Sequence, residues 1–152
     1  MTRTQIDYLA VYRRLPLPVL LITPEYVIEE MNEAYLRVTG RTREDLLGLE
    51  VFAAFPDNPS DPGATGVRNM SASFGRVLAT GEPDELALQR YDVEVPGSPG
   101  VFARRYWCPV NVPVFGSGGR VVLIANCVEE VTDRVRKFVG GMAADAIYAG
   151  RA

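Results

Sequence analysis

A glycine-rich turn between two long apolar segments constrains the fold of this sequence more than any other feature. The run 104–133 reads RRYWCPVNVPVFGSGGRVVLIANCVEEVTD. Both flanks are rich in Val and Ile, and residues 116–119 supply the positive backbone dihedrals of a tight turn, so the pattern predicts an antiparallel hairpin. If the turn is symmetric, mirror counting places Cys108 opposite Cys127.

Side chains alternate between the two faces of a strand, so this register gives the hairpin two distinct faces. We expect the aliphatic face to pack against the core, and its residues are Val110, Val112, Val114, Leu123 and Ala125. The other face is mixed, includes Trp107 and Asn126, and is expected to lie outside under partial cover. Pro109 and Pro113 lack ladder donors, so we place their nitrogens on the edge away from residues 121–128, where pairing with the next strand is weak or bulged.

Capping and breaking residues predict the other elements. These are, in chain order, a helix over 4–15, a hairpin of strands over 19–23 and 26–31, helices over 32–38 and 42–47, a turn of helix over 51–55, a helix over 67–79 and a strand over 84–95. The expected N-caps are Thr4, Asn32 and Thr42, and the expected C-caps are Gly40 and Gly81. Residues 57–66 (DNPSDPGATG) form a loop that is either a lid over a pocket or a plain surface connection.

The order and spacing of three segments resemble a PAS domain. They are the Asn-led helix NEAYLRVTG at 32–40, the EDLLG stretch at 44–48, and the end of the hairpin's second strand. PAS domains commonly end that strand in Asp, an aliphatic residue and Thr, and this chain has Glu130, Val131 and Thr132 there. The resemblance covers residues 18–133.

This resemblance implies an α+β protein with the PAS fold, in which helices lie on one face of a five-stranded antiparallel sheet. The strand from Arg120 is then central, between those at 19–24 and 101–115. The chain divides into an N-terminal flanking helix (1–17), the PAS domain (18–133) and a C-terminal linker helix (134–152).

The resemblance is to the bacterial sensory PAS modules found ahead of histidine kinases and related output domains. It implies a signal-transduction domain that binds a small molecule in an apolar cavity and acts as a homodimer on a downstream kinase or other output domain. Two alternatives stay open: a ligand-free PAS module for dimerisation and protein interaction, and a small cone-shaped α+β enzyme. The enzyme would need convergent acids or a base in the cavity, and the sequence identifies no catalytic residues.

The chain contains no histidine, which removes the commonest general base, the usual transition-metal ligand and any phospho-accepting histidine. Haem-binding PAS domains usually supply a His ligand, so haem is disfavoured. PAS domains with flavin-adduct chemistry carry a Cys after the EDLLG-like element, where this chain reads LEVFAAFPDNP, so that chemistry is disfavoured as well. No metal or cofactor is firmly implied, and an unknown small molecule is the expected ligand.

Composition narrows the partners and the compartment. A net charge of −3 and a pI near 5.0 provide no basic field for nucleic acid. No stretch reaches the ~20 apolar residues that span a bilayer, and the N-terminus lacks the core of a signal peptide, so we expect a cytoplasmic protein without membrane contact. The two cysteines are either reduced and structural or a redox pair.

The predicted ligand site lies between the long helix and the hairpin. It comprises Asn69, Met70 and Ser73 on the helix, Tyr106, Cys108 and Ala125 on the sheet, and Tyr91 or Arg104 at the mouth. Asn69, Ser73 and Arg76 follow one edge of the helix and either present polar groups to a ligand or form a solvated flank.

The end of the hairpin is the predicted signalling hinge, consisting of Glu129, Glu130, Val131 and Thr132. Thr132 is the expected N-cap of a C-terminal helix, with Glu130 and Asp133 complementing the helix N-terminus and Val131 anchoring it. Its apolar positions recur at spacings of three, four and seven residues: Val135, Phe138, Val139, Met142, Ala146 and Ile147. Gly140 and Gly141 weaken this helix, which is therefore expected to be ordered by a second subunit or, alternatively, to be a disordered end.

Overall fold

The computed structural model describes residues 2–139. Its helices are α1 (Tyr8–Arg14), α2 (Glu33–Thr39), α3 (Arg43–Leu46), α4 (Val51–Ala54), α5 (Gly66–Thr80) and α6 (Thr132–Phe138). Its strands are β1 (Val19–Ile22), β2 (Ile28–Met31), β3 (Asp84–Glu85), β4 (Gln89–Arg90), β5 (Val93–Glu94), β6 (Phe102–Ala103), β7 (Tyr106–Phe115) and β8 (Val121–Glu130). No helix among these residues is long and apolar enough to cross a membrane.

The main sheet is antiparallel with the order β2-β1-β8-β7-β3, and β4 also pairs with β7. The central position of β8 between β1 and β7 is as predicted. The continuous strand predicted over 84–95 is wrong, because the structure has three short strands there. The break between β3 and β4 faces Pro109, whose carbonyl accepts from the amide of Leu86 at 3.0 Å but whose nitrogen cannot donate.

The hairpin register differs by two residues from mirror counting, so that Val110 pairs with Cys127 and Cys108 pairs with Glu129. One residue comes from the turn, since Phe115 pairs with Val121, and the second from the irregularity between Val114 and Phe115. A shift of two keeps the same side chains together on each face.

The choice of the core face was wrong. The face that packs beneath the helices, here called the inner face, carries the buried residues Trp107, Pro109, Asn111, Ile124, Asn126 and Val128. The aliphatic set predicted for the core is only half-buried on the opposite, outer face: Val110, Val112, Val114, Leu123 and Ala125. Two asparagines are tolerated inside because they hydrogen-bond to each other and to α5, which offsets the cost of burying an amide.

The predicted caps of α2 are confirmed, and Asn32 is the clearest case. Its Oδ1 accepts from the amides of Val19 and Tyr35, each at 3.0 Å, and its Nδ2 donates to the carbonyl of Leu17 at 2.8 Å. One buried side chain therefore caps α2 and fixes the start of β1. Gly40 closes α2 with a φ of 69°, as predicted.

Two helix starts differ from prediction. Asp7, rather than Thr4, is the N-cap of α1, and its carboxylate accepts from the amide of Ala10. Val131, rather than Thr132, is the N-cap of α6. The predicted C-terminal helix continues through Gly140, Gly141, Met142, Ala146 and Ile147, which lie outside the described residues.

The core sits between the inner face and helices α2 to α5. Its most buried apolar side chains are Leu20, Ile22, Ile28, Met31, Leu46, Phe74, Val77 and Ile124. Phe74 projects from the middle of α5 and lies 5.3 Å from Tyr26 and 5.9 Å from Phe52, measured between ring centroids. Aromatic packing therefore fixes α5 over the sheet, which sets the geometry of the space beside it.

A candidate ligand cavity and its junction with the C-terminal helix

A cavity of about 60 Å³ lies between α5 and the inner face of the sheet. Six of its lining residues are aromatic: Tyr35, Phe52, Phe55, Phe74, Tyr91 and Trp107. The others are Thr39, Val51, Met70, Gln89, Val93, Asn126 and Val128. No Asp, Glu, Lys or Arg is among the described residues that line it.

Two polar groups of the aromatic wall are bonded to the protein itself. The indole Nε1 of Trp107 donates to the carbonyl of Tyr91 at 2.8 Å, and the hydroxyl of Tyr91 donates to the carbonyl of Phe55. Burial raises the pKa of Tyr35 and of Tyr91 well above the usual value for a phenol, so both rings are neutral. The wall is therefore uncharged at physiological pH.

Gln89 is held in place by Asn69 of α5. The Nδ2 of Asn69 donates to the Oε1 of Gln89 at 2.8 Å, and the Nε2 of Gln89 donates to the carbonyls of Ala87 and Leu88 at 3.0 and 3.3 Å. Asn69 therefore acts behind the cavity wall by orienting a lining residue.

A second polar chain runs from the cavity to the protein surface. The Nδ2 of Asn126 donates to the Oδ1 of Asn111 at 2.7 Å, and the Nδ2 of Asn111 donates to the Oγ of Ser73 at 2.8 Å. The Ser73 hydroxyl donates to a carboxylate oxygen of Asp84 at 2.6 Å, and Arg76 binds the same carboxylate through Nε and Nη2 at 3.0 and 2.9 Å. Ser73 is fully buried, so the interpretation of this helix edge as a solvated flank is wrong at that position.

The structure brings together only part of the predicted ligand site. Met70 and Tyr91 line the cavity, as expected, while Asn69 and Ser73 lie behind its wall. Whether any of these residues contacts a ligand stays a prediction.

Three predicted sheet residues point away from the cavity. Tyr106, Cys108 and Ala125 alternate with the inner-face residues Trp107 and Asn126, so their predicted placement on the cavity side is wrong. The error follows directly from choosing the wrong core face. Arg104, expected at the mouth, precedes β7 and is half-buried, but it does not line the cavity.

Several residues that form the cavity were not predicted from the sequence. Trp107, Gln89 and Asn126 were missed, together with the aromatic residues of α2 and of the α4 region. A usable signal was present, because an Asn in each of two aliphatic strands breaks the apolar pattern at positions of the same face.

The two cysteines are not directly opposite each other. Cys108 is exposed and pairs with Glu129, whereas Cys127 pairs with Val110. Diagonal neighbours in a sheet are about 7–8 Å apart, beyond the usual reach of a disulfide. Burial raises the pKa of the Cys127 thiol, and partial desolvation together with Glu129 raises that of Cys108, which disfavours the reactive thiolate at both positions. The structural interpretation is supported for Cys127, whereas Cys108 is exposed.

The predicted hinge lies at the end of β8, next to the start of β7. The amide of Tyr106 donates to the Oγ1 of Thr132 at 3.0 Å, and the amide of Val131 donates to the carbonyl of Tyr106 at 2.8 Å. Val131 and Thr132 are buried, so the start of α6 is fixed to β7. The acidic members of the hinge form ion pairs: Glu129 with Arg134, and Glu130 with Arg105 at 3.4 Å.

The loop over 57–66 is tied to the strands that follow α5. The Nδ2 of Asn58 donates to Asp92 at 2.9 Å, and Asp61 lies 3.5 Å from Arg90. None of the loop residues lines the cavity. These contacts favour a surface connection over a lid.

Comparison with known proteins agrees with this architecture. The family model described as "PAS fold" matches residues 12–136. A PAS domain from Colwellia psychrerythraea is similar in structure, with a TM-score of 0.65 at 11% identity over 84% of this chain and 96% of that one. The PAS domain of BvgS from Bordetella pertussis has a TM-score of 0.58 at 25% identity, over 88% and 95%.

A third similar structure is a sensory box sensor histidine kinase from Vibrio cholerae, with a TM-score of 0.51 at 16% identity over 82% of this chain and 89% of that one. No curated protein sequence matches the chain. Similarity in structure at these identities extends to the fold and not to a ligand.

Proposed function

The chain belongs to the PAS fold family, and we propose that it is a sensory domain that binds a small molecule in the aromatic cavity and relays its state through α6 of a homodimer. PAS domains are modules of signalling proteins, and they are typically sensory or interaction modules rather than enzymes. The observation that carries the proposal is the back-to-back arrangement of Tyr106 and Trp107 in β7.

These two neighbours face opposite sides of the sheet. Trp107 lines the cavity, and Tyr106 holds the start of α6 through its two backbone hydrogen bonds to Val131 and Thr132. The hydrogen bond from the indole Nε1 to the carbonyl of Tyr91 at 2.8 Å restrains rotation of the ring, so a ligand that presses on the ring also strains the backbone of β7, where one peptide unit joins Trp107 to Tyr106. The local hydrogen bonds to α6 are then strengthened or weakened, which is a physical route for a signal.

The cavity has the character of a small-molecule site. Its wall is mostly apolar and aromatic, and its few polar groups are held by neighbouring residues, which is the usual composition of such sites. Entry of an apolar ligand would remove additional aromatic surface from water, and this burial supplies the driving force for binding.

Exposed apolar side chains support the dimer. In and beside α1, several are at least two-fifths exposed: Ile6, Tyr8, Leu9, Val11, Leu15 and Leu17. In α6, Phe138 is 89% exposed. Covering these side chains with a second copy of the chain would bury both flanking helices in one two-fold interface, next to the junction that receives the signal. A downstream kinase or other output domain would then respond to that interface.

Light scattering tests the dimer. We expect the full chain to have the mass of a dimer and a truncation after Thr132 to have a lower average mass. Equal monomeric masses would contradict the dimer, and equal dimeric masses would show that α6 and the residues after it do not make the interface.

One observation favours a second candidate, a PAS module for dimerisation without a ligand. A cavity of about 60 Å³ is smaller than the cavity of about 150 Å³ that takes up benzene in an engineered protein core. A ligand larger than a few atoms would have to displace Met70 or a ring of the wall. If these side chains do not yield, the cavity is only a packing defect.

Native mass spectrometry distinguishes the two candidates. The sensory proposal predicts a co-purified or added small molecule on the wild-type chain and its loss in Val128→Phe, because Val128 lines the cavity and a phenyl ring would fill most of it. Ala125→Phe is the matched control, since Ala125 lies on the outer face and the same ring there leaves the cavity unchanged.

Thermal melts of both variants establish that each is folded. Equal uptake by all three proteins would remove the cavity as the binding site. The absence of any bound molecule, in the presence of small aromatic compounds, would favour the ligand-free module.

A further inference from the structure

The polar chain behind the cavity has a direction that is set at its surface end. An ionised carboxylate only accepts hydrogen bonds, so the Ser73 hydroxyl must donate to Asp84 and its oxygen is left to accept from Asn111. The Arg76 guanidinium, followed by the Ser73 hydroxyl, holds the pKa of Asp84 below its usual range, so the carboxylate is ionised at neutral pH. The first link of the chain therefore has one allowed direction.

That direction passes along the chain to the cavity. Since Asn111 donates its Nδ2 to Ser73, its Oδ1 faces Asn126 and requires a donor there. Both Nδ2 groups also lie near the sulfur of Met70, at 3.4 and 3.6 Å, where a weak acceptor matches a donor. The Nδ2 of Asn126 is thus already bonded within the protein, and its Oδ1 is the last hydrogen-bonding atom of the polar chain.

This remaining oxygen accepts no hydrogen bond from the described part of the chain. Asn126 is 5% exposed and lines the cavity. Three other polar side chains of the wall already bond within the protein: the Thr39 hydroxyl donates to the carbonyl of Tyr35, Gln89 is engaged at both ends of its amide, and Trp107 donates to Tyr91. The neutral hydroxyl of Tyr35 is a further polar group of the wall and can both donate and accept. The Asn126 oxygen is therefore the unpartnered amide acceptor of an uncharged, mostly apolar wall.

We infer that the Arg76–Asp84 ion pair fixes the direction of these hydrogen bonds and that the cavity selects an uncharged, mostly apolar ligand with a single N–H or O–H donor for Asn126. This inference rests on the proposed function and specifies its ligand class. A charged ligand would lose its hydration without finding an opposite charge in the wall, and a ligand without a donor would leave the Asn126 oxygen unpaired.

Asp84→Ala is the variant that releases the polar chain. An amide at this position would keep its oxygen on Ser73, because the carboxylate oxygen that accepts from Ser73 also accepts from Nη2 of Arg76. Without any acceptor there, the Ser73 hydroxyl is free to donate to Asn111, and both asparagines can flip so that Asn126 presents its Nδ2 to the cavity. The preference for a donor is then weakened, although no residue of the cavity wall has changed.

Pyrrole and furan are suitable probes because they have the same ring size and differ in the heteroatom, which donates in pyrrole and does not in furan. Trp107 is the only tryptophan of the chain and lines the cavity, so its fluorescence and its single indole N–H resonance report occupancy. The measured quantity is the ratio of the furan to the pyrrole dissociation constant. Comparing this ratio between variants removes the intrinsic difference in hydrophobicity between the two probes.

We expect the ratio to fall by about five- to tenfold in Asp84→Ala, the effect of one buried hydrogen bond. Ser73→Ala, which cuts the chain, should also lower it. Glu33→Gln is the matched control, since it removes a carboxylate from a surface ion pair with Arg14 that has no link to the cavity, and should leave the ratio unchanged.

An unchanged ratio in Asp84→Ala and Ser73→Ala, with both probes bound, overturns the inference and leaves the proposed function intact. If neither probe perturbs Trp107 in the wild-type chain, both the inference and the proposed small-molecule site are wrong for this class of ligand.

Discussion

Replacing Thr132 by Val tests the junction between β7 and α6. The Thr132 side chain is 2% exposed, and its Oγ1 accepts from the amide of Tyr106 at 3.0 Å. Valine keeps the β-branched shape but removes the acceptor, which leaves a buried N–H without a partner. Such a loss costs about 1–3 kcal/mol, a substantial part of the roughly 5–15 kcal/mol by which a domain is stable.

Amide hydrogen exchange at Tyr106 is the direct readout. A local cost of that size should accelerate exchange of the Tyr106 amide by roughly five- to a hundredfold. Exchange of the amides in the β1–β2 hairpin should change only as much as the stability of the whole domain changes. Thr132→Ser is the control, because it keeps the oxygen and removes a methyl group worth about 0.8 kcal/mol. If Val and Ser leave Tyr106 equally protected, the hydrogen bond does not hold the junction and the reasoning fails.

Three further predictions concern the site and its frame. Gly66→Ala should destabilise the domain by about 1–3 kcal/mol in urea unfolding, because the added Cβ would lie 2.5 Å from the Tyr91 ring; a neutral effect would show that the ring yields freely. Arg76 lowers the pKa of Asp84, so the contribution of the Asp84 carboxylate to stability is fully present above the unfolded pKa of about 3.9 and is lost as pH falls through the lower folded pKa. Asp84→Asn should flatten the slope of stability against pH on the acid side, and an equal slope contradicts the linkage. Asn32→Ala should lower the free energy of unfolding by about 2–5 kcal/mol, because it removes the cap and leaves buried backbone groups unpaired. Asn32→Asp keeps the acceptor and should lower it less; equal losses would contradict this account of the cap.

Three features encoded by neighbouring residues were predicted correctly from the sequence. The Asn32 cap, the closing Gly40 and the Thr42 cap each depend on contacts within a few positions, and the structure contains all three. The position of β8 at the centre of the sheet was also correct, because it followed from the family resemblance over the whole domain.

The face of the hairpin could not be derived from hydrophobicity alone. Asn111 and Asn126 are tolerated in the core because Asn126 donates to Asn111, and Asn111 donates to Ser73, which lies 38 positions away in the sequence and donates in turn to Asp84. A periodicity argument counts each amide as a solvent-facing group. It therefore placed the uniformly aliphatic face inside and moved the predicted ligand site to the wrong side of the sheet.

The start of α1 shows a smaller error of the same kind. Thr4 and Asp7 are both good N-caps in sequence, and only the observed bond from the amide of Ala10 identifies Asp7. Competing caps three residues apart differ by a fraction of the free energy of one hydrogen bond, which a pattern cannot resolve.

The central claim is that occupancy of the cavity is transmitted to α6 through two adjacent residues of β7. One experiment measures both ends: pyrrole is titrated into the wild-type chain while the indole N–H resonance of Trp107 and the exchange rates of the Tyr106 and Val131 amides are followed. The account predicts that the resonance shift and the change in exchange rates saturate at the same pyrrole concentration. A saturating shift of the Trp107 resonance with unchanged exchange at Tyr106 and Val131 would contradict it.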